Sequence, residues 1–125
     1  AAVSVIEESG FTMTTGLRAA ERLLQASQRP DAVFAANDAM AIGVLRAFHE
    51  AGIAVPGEVS VVGFDDVPDA AYLWPPLTTV RQSFDEVGRR AVDALIAELD
   101  GDEPIDQEFV PTELVIREST TKPTR

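Results

Sequence analysis

The stretch at residues 59–66 constrains the fold of this chain more than any other part of it. Its sequence is Val-Ser-Val-Val-Gly-Phe-Asp-Asp, a short β-branched run that ends in two carboxylates. A run with so little polar alternation predicts a strand at residues 59–62 that is buried on both faces, as strands of parallel sheets are. Asp65 and Asp66 then fall at the carboxyl end of that strand, where open α/β sheets place the groups that contact ligands.

Strand-like and helix-like patterns alternate along the rest of the chain. Further strands are predicted at residues 2–6, 32–36, 77–80 and 109–117. Helices are predicted from a cap at Thr14 or Thr15 to about residue 27, at residues 38–51, and at residues 84–99. This alternation predicts parallel βαβ units in an α/β fold.

Two local features qualify this pattern. Pro75 and Pro76 disfavour a central position for the strand at 77–80, because proline cannot donate to a sheet ladder. Gly43, inside the second predicted helix, costs about 1 kcal/mol relative to alanine and therefore predicts a close packing contact at that position.

Composition narrows the classes of function. The chain has 125 residues, of which 46% are hydrophobic, enough for one α/β domain with a core. Its net charge of −11, with scattered Lys and Arg, predicts no direct binding to nucleic acid. The absence of cysteine excludes thiolate metal sites and is compatible with a reducing cytoplasm. No run is long enough for a membrane span, and a chain that starts at Ala1 is expected to be processed or a fragment.

Four blocks of the sequence are similar to signatures of the LacI/GalR family of bacterial transcription regulators. They are residues 30–43 (PDAVFAANDAMAIG), 51–66 (AGIAVPGEVSVVGFDD), 75–82 (PPLTTVRQ) and 112–120 (TELVIREST). The blocks occur in the same order as in the family, and the resemblance covers almost the whole chain without large gaps. Together they are far more specific than any one motif.

The resemblance implies a parallel-sheet, three-layer αβα lobe of the type I periplasmic-binding-protein-like fold, present in part. Residues 1–79 correspond to the second lobe of the effector-binding domain. Residues 80–107 correspond to a crossover and a helix of the first lobe, and residues 108–125 to a closing strand and a tail that we expect to fray from Ser119. The implied function is effector binding and dimerisation in a cytoplasmic regulator, with operator DNA bound only through a headpiece that these residues do not include.

Asp65 and Asn37 are the first candidates for contact with a sugar effector. The family uses the aspartate of its Gly-aromatic-Asp motif to bind ligand hydroxyls, and Asp65 occupies that position. A carboxylate accepts two such hydrogen bonds, whereas an amide both donates and accepts. Sugar-responsive members resemble this chain in having asparagine at the position of Asn37. The alternative is that Asn37 caps the helix, a role that we assign to Asp38 instead.

Phe11, Gln82 and Phe84 complete the candidate ligand site. The position of Phe11 resembles that of an aromatic residue of the family's pocket, and its ring could stack on the apolar face of a sugar or a base. As a lone aromatic residue, Phe11 could instead belong to the core. Gln82 and Phe84 lie near the cleft in the family, although Phe84 also fits the core-facing side of its own helix.

The resemblance also implies a homodimer. Family members associate through positions that correspond here to Ile42, Leu45, Tyr72 and Leu73. The alternative for the two helical residues is ordinary packing against the sheet.

Other functions compete with regulation. A sugar-binding protein of a transport system has the same fold, and the block at residues 75–82 is the feature that most favours the regulator over it. An enzyme is not expected, because the sequence has no phosphate-binding loop, no nucleophile motif and a single histidine. We expect no cofactor and no metal: Asp65 and Asp66 are hard ligands, but no third ligand is evident.

Overall fold

The computed structural model describes residues 3–101 and 109–122. In that part of the chain, the elements follow in the order α1 (Met13–Leu24), β1 (Ala32–Phe34), α2 (Asp38–Glu50), β2 (Ser60–Asp65), a 3₁₀ helix (Pro68–Tyr72), β3 (Thr78–Arg81), α3 (Phe84–Asp100) and β4 (Glu113–Val115). The strands form one sheet in the order β1-β2-β3-β4. β1, β2 and β3 are parallel, and β4 runs antiparallel to β3. The prediction of an α/β fold with a mostly parallel sheet is therefore confirmed.

The register of the sheet brings three strand ends to one edge. Phe34 of β1 lies opposite Val62 of β2, and Asp65 of β2 lies opposite Arg81 of β3. Because the three strands are parallel, their carboxyl ends point the same way. The polar residues that follow each strand are therefore carried to the same side of the molecule.

The core lies between α2 and one face of β2. Val59 and Val61 are fully buried on this face together with Phe48 of α2. Val62 and Phe64 point to the other face and are only half-buried by the described residues. The expectation of burial on both faces is wrong for the described part of the chain, because α2 covers only the face of Val61 and Gly63.

α1 packs on α2 and adds the fully buried Ala20 to the core, and two glycines set the distance between the helices. A Cβ atom on Gly43 would lie 2.0 Å from the carbonyl oxygen of Met13, and one on Gly16 would lie 2.0 Å from that of Met40. No side chain fits at such separations, so the backbones touch. The close packing contact predicted at Gly43 is confirmed.

α2 and α3 begin at the predicted residues 38 and 84, but the prediction for the start of α1 is wrong. Thr12, not Thr14 or Thr15, is the N-cap of α1: its side chain accepts from the backbone N–H of Thr15 in a capping box. Ser83 caps α3, and Gly101 ends it in the left-handed conformation with φ 77°. None of the α3 side chains is buried by the described residues.

Two strands near the start of the chain differ from expectation. Residues 3–6 of the predicted strand at 2–6 form no strand, and Val3 and Val5 are exposed, because no described segment pairs with them. Residue 2 lies outside the described residues. β1 is short and lies at the edge of the described sheet, so Phe34 is exposed rather than buried.

β3 lies between β2 and β4 despite the two prolines. Pro75 and Pro76 precede the first ladder residue, Thr78, and therefore remove no ladder hydrogen bond. The closing strand covers Glu113–Val115 only, a smaller range than the predicted 109–117.

The segment after β4 is anchored at Ser119, where fraying was expected. The Ser119 side chain is fully buried. Its Oγ donates to the carbonyl oxygen of Val61 at 2.6 Å and accepts from the backbone N–H of Thr78 at 2.8 Å. These bonds tie the closing segment to β2 and β3, so the prediction of fraying is wrong at this residue. Residues 123–125 of the predicted tail lie outside the described residues.

Candidate functional site

The carboxyl edge of the sheet carries the residues that we predicted to bind ligand. Asn37 follows β1, Asp65 ends β2 and Gln82 follows β3. If the register of β1 and β2 continues past Phe34, Asn37 and Asp65 fall level with each other. The topology of the sheet is therefore what brings these three positions together.

Asp65 has an unusual backbone. Its φ is 116°, in a region that L-residues seldom adopt, and Asp66 follows with φ 56°. Such conformations persist only where the surrounding structure holds them, and they cluster at ligand sites. The Nε2 of Gln82 donates to Asp65 Oδ1 at 2.6 Å. The other carboxylate oxygen has no hydrogen-bond partner among residues 3–101 and 109–122, and so is able to accept from a ligand.

Asn37, not Asp38, caps α2. Its Oδ1 accepts from the backbone N–H of Met40 at 2.8 Å, and its Nδ2 donates to the carbonyl oxygen of Phe11 at 3.0 Å. Our assignment of the cap to Asp38 is wrong. The amide of Asn37 still has a second N–H and a second lone pair with which to meet a ligand.

Asp38 has a different role, which the sequence did not suggest. Its side chain is fully buried. Oδ1 accepts from the hydroxyl of Thr79 at 2.6 Å, and Oδ2 accepts from the backbone N–H of Val67 at 2.9 Å. Asp38 thus joins the start of α2 to β3 and to the loop after β2. Two polar residues before a helical pattern do not indicate which one points inward.

The two aromatic candidates lie at the surface. Phe11 is 69% exposed and therefore does not belong to the core, which was the alternative for it. Its backbone contact with Asn37 places it beside the edge of the sheet. Phe84 is the first residue of α3, two residues after Gln82, and is also exposed. Phe84 has no described hydrogen bond or core contact that joins it to Asp65.

Asp66 is the centre of an ion-pair network that sequence reasoning missed. Its side chain is 7% exposed. Arg81 Nε lies 2.7 Å from Oδ2, and Arg117 Nη2 lies 2.7 Å from Oδ1. Arg81 is 49% exposed and also pairs with Glu113 at 3.2 Å. The two arginines are distant from Asp66 in sequence, so no local pattern indicates the network.

The arginines set the acidity of Asp66. Burial by itself raises the pKa of this carboxyl, but the hydrogen bond from Arg81 and the positive charges of Arg81 and Arg117 outweigh it and bring the pKa below its ordinary value of 3.8. The folded state therefore binds this proton less tightly than the unfolded state does. Asp66 therefore stabilises the folded state when the pH is above the ordinary pKa. This contribution is lost as the pH falls through the lower pKa that Asp66 has in the folded state.

We expect Asp66→Asn to lower the free energy of unfolding by about 2 kcal/mol at pH 7, because it leaves the buried side of the network with an unmatched positive charge. Below pH 3.8 the difference from wild type should shrink as the wild-type carboxyl takes up a proton. Urea unfolding at a series of pH values measures this difference. Asp69→Asn, at an exposed position nearby, is the control and should match wild type throughout. A difference that does not change with pH would contradict the ion-pair account.

Comparisons with known proteins show the family to which this chain belongs. The family model that describes the periplasmic binding protein-like domain matches residues 2–120. The lactose operon repressor of Rhizobium radiobacter is 46% identical over 109 residues, which are 87% of this chain and 96% of that protein. The chain belongs to the periplasmic-binding-protein-like domains of the LacI/GalR family. The predicted family membership is thereby confirmed.

Other LacI/GalR members are longer than this chain. The ribose operon repressor of Escherichia coli K12 is 45% identical over 86 residues, 69% of this chain and 26% of that protein. A solved lac repressor dimer bound to operator and the anti-inducer ONPF is 35% identical, with a TM-score of 0.82 over 89% of this chain and 39% of that one. The chain thus spans about a quarter to two fifths of the length of these two relatives.

The residues predicted at the dimer interface of this family member gather at one surface. A groove of about 250 Å³ is lined by Ile42, Leu45 and Leu73, together with Arg46, His49 and Trp74. Tyr72, the fourth predicted residue, is adjacent to Leu73 and exposed. The alternative of core packing also holds in part, because Leu45 is buried in the core cluster.

Two further observations bear on other classes of protein. None of the helices in the described residues combines the length and the apolar character that a membrane crossing requires. Within residues 3–101 and 109–122, no group of three or more histidines and carboxylates is placed to hold a metal ion.

Proposed function

We propose that this chain is the effector-binding and dimerisation part of a LacI-type transcription regulator whose effector is a sugar or a related polyhydroxylated metabolite. The observation that carries the proposal is Asp65, held with φ 116° at the carboxyl edge of the sheet. One of its oxygens is fixed by Gln82, and the other has no partner among the described residues. Strained residues cluster at ligand sites, and open α/β sheets bind ligands at the carboxyl ends of their strands.

The side chains at the carboxyl edge of the sheet can bind a ligand that carries adjacent hydroxyl groups. A carboxylate accepts hydrogen bonds from two neighbouring hydroxyls, and charged acceptors make the stronger bonds. Asn37 adds one donor and one acceptor, and the exposed ring of Phe11 offers an apolar face for stacking. Two relatives are named for the lactose and ribose operons, which supports a sugar as the first class of compound to test.

We assign residues 1–79 to the second lobe of such a regulator, residues 80–107 to the crossover and a helix of the first lobe, and residues 108–125 to the returning segment. The lack of any buried side chain in α3 among the described residues supports this division, because such a helix needs another partner to cover its apolar face. The effector would then bind between two lobes and shift the balance between their arrangements.

The proposed regulator dimerises through the surface of Ile42, Leu45, Tyr72 and Leu73, acts in the cytoplasm and binds operator DNA through a separate headpiece. The net charge of −11 supports a separate DNA-binding segment, because a phosphate backbone repels an acidic surface. The proposed regulator catalyses no reaction. A transport protein of the same fold is not favoured, because the relatives reported above are repressors.

Thermal unfolding of the intact protein tests the proposal. We expect one sugar from a panel of ribose, galactose, lactose and maltose to raise the melting temperature by about 5 °C at saturating concentration, and hypoxanthine and guanine to leave it unchanged. Asp65→Asn should weaken the binding of that compound about 30-fold (about 2 kcal/mol), because it removes a charged acceptor while keeping a residue type that tolerates positive φ. Asp69→Asn is the control for loss of a negative charge and should bind normally.

The outcomes separate the parts of the proposal. Stabilisation by a purine alone would overturn the sugar assignment but not the regulator. An Asp65→Asn protein that binds the compound as tightly as wild type would overturn the role of Asp65.

A further inference from the structure

The side chain of Asp66 is held by more polar contacts than the side chain of its neighbour Asp65. Its carboxylate lies between the guanidinium groups of Arg81 and Arg117, at 2.7 Å from each. Arg117 is itself anchored, because its Nη1 donates to the carbonyl oxygen of Leu77 at 2.7 Å. Asp66 is thereby tied to β3 and to the segment that follows β4.

The strained residue Asp65 lies between two anchors. On one side, β2 fixes it by the ladder pairing with Arg81. On the other side, Asp66 holds its two arginines, and the next residue, Val67, donates its backbone N–H to the buried Asp38. A backbone held at both ends keeps a conformation that it would otherwise leave.

The same network fixes the partner of Asp65. Arg81, whose side chain Asp66 holds, directly precedes Gln82. Gln82 donates to Asp65 Oδ1 at 2.6 Å. Asp66 therefore restrains both the donor and the acceptor of the hydrogen bond that orients Asp65.

We propose that Asp66 is a positioning residue for the ligand-binding carboxylate: its ion pairs with Arg81 and Arg117 hold the positive φ of Asp65 and keep the carboxylate of Asp65 beside Gln82. This inference rests on the proposed function as far as ligand binding is concerned. Its structural part, the restraint on Asp65, does not depend on any ligand.

Asp66→Asn is the variant that isolates this role. Asparagine tolerates the φ of 56° at this position as aspartate does, so the substitution removes the charge without adding backbone strain. A crystal structure of the ligand-free intact variant should show Asp65 with a changed φ and its carboxylate no longer within hydrogen-bonding distance of Gln82. Retention of both features would overturn the inference.

Arg81→Ala provides a second test should Asp66→Asn fold poorly. Arg81 is half exposed, and its removal leaves the pair of Asp66 with Arg117 in place. We expect the Asp65–Gln82 contact to be loosened in this variant also. Asp69→Asn is the matched control and should leave the contact at its wild-type length.

Binding measurements distinguish positioning from a general loss of structure. With lactose and ribose as probes in isothermal titration of the intact protein, Asp66→Asn should weaken binding about tenfold, the scale on which groups that orient a binding residue contribute. In an Asp65→Asn background the same change should have little further effect, because Asp66 acts through Asp65. Equal losses in both backgrounds would overturn the inference. If Asp65→Asn alone leaves the affinity unchanged, the proposed sugar contact fails. In that case, and also if neither lactose nor ribose binds, the crystal structures decide the role of Asp66.

Discussion

Replacing Gly43 by alanine is expected to lower the free energy of unfolding of the 125-residue chain by about 3 kcal/mol. The new Cβ would lie 2.0 Å from the carbonyl oxygen of Met13 and 2.6 Å from the backbone nitrogen of Leu17. Both contacts are with backbone atoms, which cannot move aside as a flexible side chain can. α1 must therefore shift away from α2, and the gain of about 1 kcal/mol in helix propensity does not compensate for that shift.

Gly88→Ala is the matched control for Gly43→Ala. Gly88 also lies inside a helix, but a Cβ placed there meets no atom of the described residues within 4 Å. The substitution should stabilise the chain by about 1 kcal/mol through helix propensity alone. Urea unfolding followed by circular dichroism measures both variants. Equal effects of the two substitutions would contradict the close approach of α1 and α2.

Replacing Asp38 by alanine is the second large effect, with an expected loss of about 3 kcal/mol in the free energy of unfolding. The change removes the acceptor for the hydroxyl of Thr79 and the acceptor for the backbone N–H of Val67. Because Asp38 is fully buried, water does not replace either bond without cost.

Asp38→Asn should cost only about 1 kcal/mol, because the amide oxygen can accept from Val67 while the amide nitrogen donates to the Thr79 hydroxyl. Asp31→Ala, an exposed acid before β1, should change stability by less than about 0.5 kcal/mol. Chemical denaturation ranks the three variants. A cost for Asp38→Ala no larger than that for Asp31→Ala would show that Asp38 does not join α2 to β3.

The parts of the fold that the sequence predicted are those that a local pattern determines. The apolar run at residues 59–62 indicated a strand in a parallel sheet, and the direction of that strand placed Asp65 at the carboxyl edge. Gly43 indicated a close contact because glycine inside a helix is otherwise unfavourable. Residues 3–6 have the same apolar pattern as a strand, but their own sequence does not indicate whether another strand is available to pair with them.

The parts of the site that were missed depend on residues far apart in the chain. Arg117 and Asp66 form an ion pair although they lie far apart in the sequence. Asp38 meets Thr79 through the packing of α2 on the sheet. The choice between Asn37 and Asp38 as helix cap depended on which side chain turned inward, and both residue types make good caps. The backbone conformation of Asp65 likewise follows from the anchors on either side of it rather than from its own preference.

The most direct test of the ligand site is a crystal structure of the intact protein with the stabilising compound bound. The account predicts a hydroxyl group of the compound within about 3 Å of the Asp65 carboxylate. It also predicts that Asn37 lies within hydrogen-bonding distance of the compound and that Asp65 keeps its positive φ. A compound bound elsewhere, with Asp65 in contact only with Gln82, would contradict the central claim that this edge of the sheet is the effector site.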